Sequence, residues 1–170
     1  MTGCIFWKIQ NMMLHIPQIL NKHQVVELRE QIQQQSVWID GTHSAGPQAQ
    51  KIKNNLQVDI QSNVYESVSH SVLNALQQNL LLRSAALPKH TLLPMFNCYQ
   101  NQGNYGNHVD NSIQYSAKTG QMIRTDVSIT VFLSEPDEYE GGELIIEDTY
   151  GSHEVKLRSE EHTSELQSQR

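Results

Sequence analysis

The residues in this chain best suited to chemistry are His108 and Asp110, separated by Val109. Side chains alternate faces along a strand, so residues i and i+2 point the same way with Cα atoms roughly 6.5–7 Å apart. An imidazole and a carboxylate can close that span onto one ion. One further neutral imidazole from another strand would complete a two-His, one-carboxylate facial triad, which leaves coordination positions open and suits non-haem Fe(II). The motif by itself is weak, because a chain with 8 His contains roughly 0.3 such pairs by chance. Its setting carries the argument.

Before the pair lie the apolar run Leu92-Leu93-Pro94-Met95-Phe96, read as the first strand of a sheet that begins after Pro88, and an approach carrying Asn101, Gly103, Asn104 and Gly106. After it, Val127, Ile129, Val131 and Leu133 alternate with polar residues at period two, which predicts a strand with one buried face. Gly141-Gly142 signals a turn into a further strand over 143–147. The acidic residues Glu135, Asp137, Glu138 and Glu140 read as a solvated loop, without the ligand spacing of a calcium site. The segment from Ile113 to Met122 has the composition of a mobile loop beside the pair, placed where a substrate lid would sit.

Several spaced phrases recur in order: Tyr99-x-x-x-Gly103-x-Tyr105-x-x-His108-x-Asp110-Asn111, then Arg124-Thr125-Asp126-x-Ser128, then Phe132-Leu133-Ser134-x-Pro136-Asp137-x-Tyr139-x-Gly141-Gly142-Glu143-Leu144, then Glu147-Asp148-Thr149-Tyr150-Gly151. From Met13 to Leu157 the chain resembles the bacterial PKHD-type hydroxylases, of the iron(II)- and 2-oxoglutarate-dependent dioxygenases in the prolyl hydroxylase branch. The resemblance implies an α+β fold built on a double-stranded β-helix, or jelly roll. It implies Fe(II) on His108, Asp110 and a distal His, 2-oxoglutarate as cosubstrate and L-ascorbate as reductant. It also implies hydroxylation of a C–H bond with release of succinate and CO2. By the same resemblance Tyr99 is the candidate 2-oxoglutarate contact, an ordinary half-buried strand tyrosine being the other reading, and Tyr105 either packs or faces the site. The alternative function is a non-catalytic β-helix that binds metal or a partner. The substrate is left open between a small molecule and a peptidyl side chain.

Composition narrows the classes. A chain of 170 residues suits one domain with its own core. A net charge of −6 argues against nucleic acid or an anionic membrane as partner, and no apolar run is long enough for a membrane span. Two cysteines, Cys4 and Cys98, do not make a disulfide framework, which points to a reducing cytoplasm. Cys98 reads as a small buried hydrophobe rather than a nucleophile.

The elements that must position the pair come earlier in the chain. Residues 1–12 read as an upstream extension without the features of a signal peptide, and 13–89 as a helical support region. In that region Val25, Val26, Leu28 and Ile32 have helical spacing behind Asn21, a suitable N-cap. Trp38-Ile39-Asp40-Gly41 reads as a short strand and turn, followed by a loop in which His43 is solvated. The phrase Lys51-Ile52-Lys53-Asn54-Asn55 matches the family, and its lysine reads as a solvated edge rather than a substrate contact. Val64, Val68, Val72, Leu73 and Leu76 form one helical stripe running to Leu81, with His70 structural or exposed; His90 has no partner at ligand spacing.

Residues 90–157 form the expected dioxygenase segment, lacking the last strands of its fold. His153 is rejected as the third ligand because it falls in the turn phrase Thr149-Tyr150-Gly151-Ser152-His153, before the strand at 154–157, whereas the family's distal His and the Arg for the 2-oxoglutarate carboxylate come later. Residues 158–170, with Leu166 as their sole apolar member, read as an unrelated tail, the in-frame translation of a sequencing-library adapter, with a genuine polar tail as the alternative. Such a composition also argues against His162 as a substitute ligand.

Overall fold

The computed structural model describes residues 12–46, 49–116, 119–148, 151–159 and 161–166. The first helix, α1 (Lys22–Gln35), starts at Asn21, whose side chain accepts from the Gln24 backbone N–H at 2.9 Å while Gln24 Oε1 accepts from the Asn21 N–H at 2.9 Å. This reciprocal box satisfies two of the donors that a helix start leaves orphaned. Val25, Leu28 and Ile32 turn inward, but Val26 lies on the outer face and is exposed.

The second stripe does not run to Leu81. Helix α2 (Tyr65–Gln78) stops at Asn79, whose side chain accepts from the Leu82 N–H at 2.9 Å and so starts a separate helix, α3 (Leu80–Ala86). Leu80 and Leu81 are exposed as a result. Val68 and Val72 of α2 meet α1 and the segment Ile16–Leu20 in one apolar core, which Ile129, Val131 and Leu133 cover from the sheet side.

The strands form small antiparallel sheets around this core. β1 (Met12–Pro17), β9 (Val127–Val131) and β12 (Glu161–Leu166) make one sheet in the order β1-β12-β9. The tail expected to remain outside the fold thus supplies its central strand, with Met12 opposite Leu166 and Val127 opposite Leu166 on the other side. Backbone ladders ask little of side-chain composition, so a polar stretch can fill a slot between two open edges. A second sheet joins β2 (Trp38–Asp40), β4 (Leu56–Val58) and β5 (Asn97–Cys98). Both β4–β5 and the common core cross the division between support and dioxygenase segments drawn at residue 90.

Two further expectations shift. Residues 87–96 contain no strand, so the sheet begins at Asn97 rather than after Pro88; Phe96 is buried, and its carbonyl accepts from the Val58 N–H at 3.0 Å. The expected lid loop is a hairpin, β7 (Ile113–Tyr115) against β8 (Met122–Arg124), with Tyr115 opposite Met122; residues 117–118 at its tip lie outside the described residues. The Gly141-Gly142 turn holds, both glycines having φ near +70°, and leads into β10 (Leu144–Asp148), which pairs with β11 (Gly151–Val155). Cys4 and most of the expected extension fall outside the described residues.

Candidate metal-binding site

The site is built on a two-stranded ribbon of β3 (Lys53–Asn54) and β6 (Asn104–Tyr105), in which Lys53 lies directly opposite Tyr105. The turn entering β6 is tight: Asn101 and Gln102 both have positive φ, and the Gly103 N–H donates to Gln100 O at 2.8 Å. Gly103 is required by space, since a Cβ there would sit 2.9 Å from the carbonyl oxygens of Asn54 and Gln100. Leaving the ribbon, Gly106 donates its N–H to Ile52 O at 3.0 Å, which brings the chain to His108.

His108 and Asp110 converge, though not on a strand: residues 106–112 are irregular, and the pair is oriented by local bonds instead of by a pleat. His108 Nδ1 stands 2.8 Å from the Gly106 carbonyl oxygen. A carbonyl can only accept, so Nδ1 carries the proton and Nε2 is the free ring position. Nε2 lies 3.3 Å from Asp110 Oδ1, with the two side chains 25% and 48% exposed. With Nδ1 committed, Nε2 can direct its lone pair at a cation that the carboxylate shares. Two donors each about 2.1 Å from one ion at a right angle stand about 3.0 Å apart, close to the spacing seen, and a backbone carbonyl on the other ring nitrogen is the usual support for a ligating His. The donor set therefore fits one divalent cation.

Around the pair, Tyr105 stacks on the His108 ring at 3.6 Å between centroids and 20° between planes. Lys53 Nζ lies 5.0 Å from the Tyr105 centroid and donates to Ser44 Oγ at 2.8 Å. Lys53 is no solvated edge: it is only 8% exposed, and desolvation holds its ammonium below the usual lysine range against the opposing pull of Asp40. Lys51, in the same phrase, is exposed. Sequence reasoning missed Lys53 because its burial depends on pairing with β6, which no local pattern in 51–55 signals.

Tyr99 follows β5 and is 45% exposed, yet desolvation first and Tyr105 second push its phenol up. Desolvation, followed by the Asp110 charge, does the same to Tyr105. Tyr99 thus neighbours Tyr105, and Tyr105 neighbours Asp110. Cys98 is half-buried, and burial raises its thiol, the opposite of nucleophilic activation. His43, His70 and His90 are exposed.

Among the described residues, no third His, Cys, Asp or Glu gathers with others into a metal-holding group. His153 lies within β11, opposite Ile146, and not in a turn as its surrounding phrase suggests. The side chain of His162 lies outside the described residues. The acidic loop is partly structural: Glu138 accepts from Arg29 of α1 at 2.9 Å, and Glu135 bonds Ser159.

Fold and site together define a mixed α+β protein with a His–Asp pair held in a turn-rich segment. No helix among the described residues is long and apolar enough to cross a membrane, and no family model matches the chain. Its sequence is 49% identical over 146 residues to a PKHD-type hydroxylase of Aliarcobacter butzleri, and 47% identical over 146 residues to the PKHD-type hydroxylase YbiX of Escherichia coli K12. Each alignment takes in 86% of this chain and 64% of the relative. Over that span the chain is similar to the bacterial PKHD-type hydroxylases, and it covers somewhat less than two thirds of the relatives' length.

Proposed function

We propose that this chain is the larger part of an iron(II)- and 2-oxoglutarate-dependent dioxygenase that hydroxylates a C–H bond of a small-molecule or peptidyl substrate. The observation that carries the reading is the convergence of His108 Nε2 and Asp110 Oδ1 at 3.3 Å with Nδ1 already committed to Gly106. His108 and Asp110 would hold the metal, and Tyr99, beside Tyr105 and partly desolvated, would meet the 2-oxoglutarate. Fe(II) with 2-oxoglutarate and dioxygen supplies the oxidation, releasing succinate and CO2, with L-ascorbate keeping the metal reduced.

The chain's own residues supply placement. The Gly106 carbonyl fixes the His108 tautomer, Asp110 would offer one oxygen to the ion, and the ribbon of β3 and β6 leads the chain into the segment that carries both. The helices and small sheets belong, in this reading, to a double-stranded β-helix braced at its N-terminal side. With two of three expected protein ligands in place, the 170-residue chain is expected to turn over slowly. The test is succinate formation from 2-oxoglutarate with Fe(II) and ascorbate. Low turnover abolished by His108→Ala supports the reading. Robust turnover that survives His108→Ala but is lost in His153→Ala would transfer the site to β11 and defeat it.

A further inference from the structure

The imidazole of His108 is restrained in three different ways. Its Nδ1–H donates to Gly106 O at 2.8 Å, its Nε2 faces Asp110 at 3.3 Å, and one of its faces lies on Tyr105 at 3.6 Å. A single hydrogen bond leaves a ring able to swing about the donor–acceptor line, and an exposed carboxylate restrains it weakly. A parallel aromatic face removes that swing. Tyr105 is itself anchored, because β6 sets it opposite Lys53, whose ammonium sits 5.0 Å from the ring centroid and is tied to Ser44 Oγ at 2.8 Å in a buried position.

We propose that Tyr105 is a positioning residue: its ring, steadied by Lys53, holds the metal-free His108 imidazole in the single orientation that presents Nε2 beside Asp110. The proposal rests on the reading of His108 and Asp110 as a cation site, but it concerns an orientation that exists before any metal binds. The hydroxyl of Tyr105 has no part in it.

The experiment uses the 170-residue chain, with the His108 ring signals assigned by comparison with His108→Ala. In metal-free protein at pH 8, nitrogen-15 spectra of the imidazole should show one Nδ1–H tautomer in the wild type and in Tyr105→Phe. Mixed tautomers are expected in Tyr105→Leu. Titrated with Co(II), Tyr105→Phe should stay within about threefold of the wild-type affinity, and Tyr105→Leu should lose about 10–100-fold, the usual cost of removing a residue that supports a ligand. Lys53→Met should weaken Co(II) binding in the same direction by less.

Unchanged backbone amide signals from α1 and α2 show that a variant is folded, and Tyr105→Met repeats the test should leucine disturb β6. A Leu variant with wild-type tautomer and affinity overturns the proposal, as does a Phe variant that behaves like Leu. A His108→Ala chain that binds Co(II) unchanged refutes the metal reading of the pair, while the tautomer comparison still decides the role of Tyr105.

Discussion

The core behind α1 and α2 and the segment that carries His108 and Asp110 are held together by different forces. Val68, Val72 and Leu28 are buried at 0–3% exposure among apolar neighbours from distant parts of the chain. Residues 99–112 have almost no apolar cover; Val109 is 77% exposed, and the segment is shaped by a tight turn, carbonyl acceptors and one ring stack. Nondirectional burial makes the first region stable, and directional short-range bonds make the second specific. The difference implies that stability and metal binding can be changed separately.

Cutting into the core is expected to have the largest effect. Leu28→Ala removes a buried side chain from the inner face of α1 and should cost about 2–5 kcal/mol, measured by urea unfolding. Co(II) affinity of the folded fraction should remain as in the wild type. A parallel fall in affinity would show that the two regions are one cooperative unit at the site.

Gly103→Ala reverses that pattern. A methyl group there meets two carbonyl oxygens at 2.9 Å and the Gln100 nitrogen at 3.1 Å, all of them backbone. Relieving the overlap should cost about 1–3 kcal/mol and displace β6, so Co(II) affinity falls along with the melting temperature. Intact affinity in a folded Gly103→Ala chain would mean that the turn does not set the position of His108.

The smallest effect is expected at the surface, where α1 meets the acidic loop. The Arg29 guanidinium, hydrogen-bonded to Glu138, holds that carboxyl below its ordinary value of 4.5. A lowered carboxyl stabilises the fold fully above the ordinary value, and that contribution disappears as pH falls through the lowered one. Arg29→Met should therefore cost about 0.2–1 kcal/mol near neutrality and flatten this part of the acid unfolding curve. An unchanged curve would assign the acid response to other carboxylates.

How far the sequence reached follows the same division. Periodicity exposed α1, α2 and β9 because each buries a face at its own repeat, the Gly141-Gly142 turn announced β10, and residue chemistry identified Asn21 as a cap and His108 with Asp110 as a pair. The break at Asn79 was open to the same capping logic, but the apolar residues at 80 and 81 continued the stripe on paper. Long-range pairing was not legible. The burial of Lys53 depends on a partner 52 residues further on, and the placement of β12 depends on two edges that no local pattern announces. The hairpin at 113–124 looked like a loop because Ile113, Tyr115 and Met122 project outward.

The central claim is that one divalent ion is shared by His108 and Asp110. Calorimetric titration of the metal-free chain with Co(II) tests it most directly. One ion per wild-type chain is predicted, with His108→Ala and Asp110→Ala each losing more than the about 10–100-fold that a supporting residue costs while their unfolding midpoints stay in place. Equal affinity and stoichiometry in all three proteins would contradict the account.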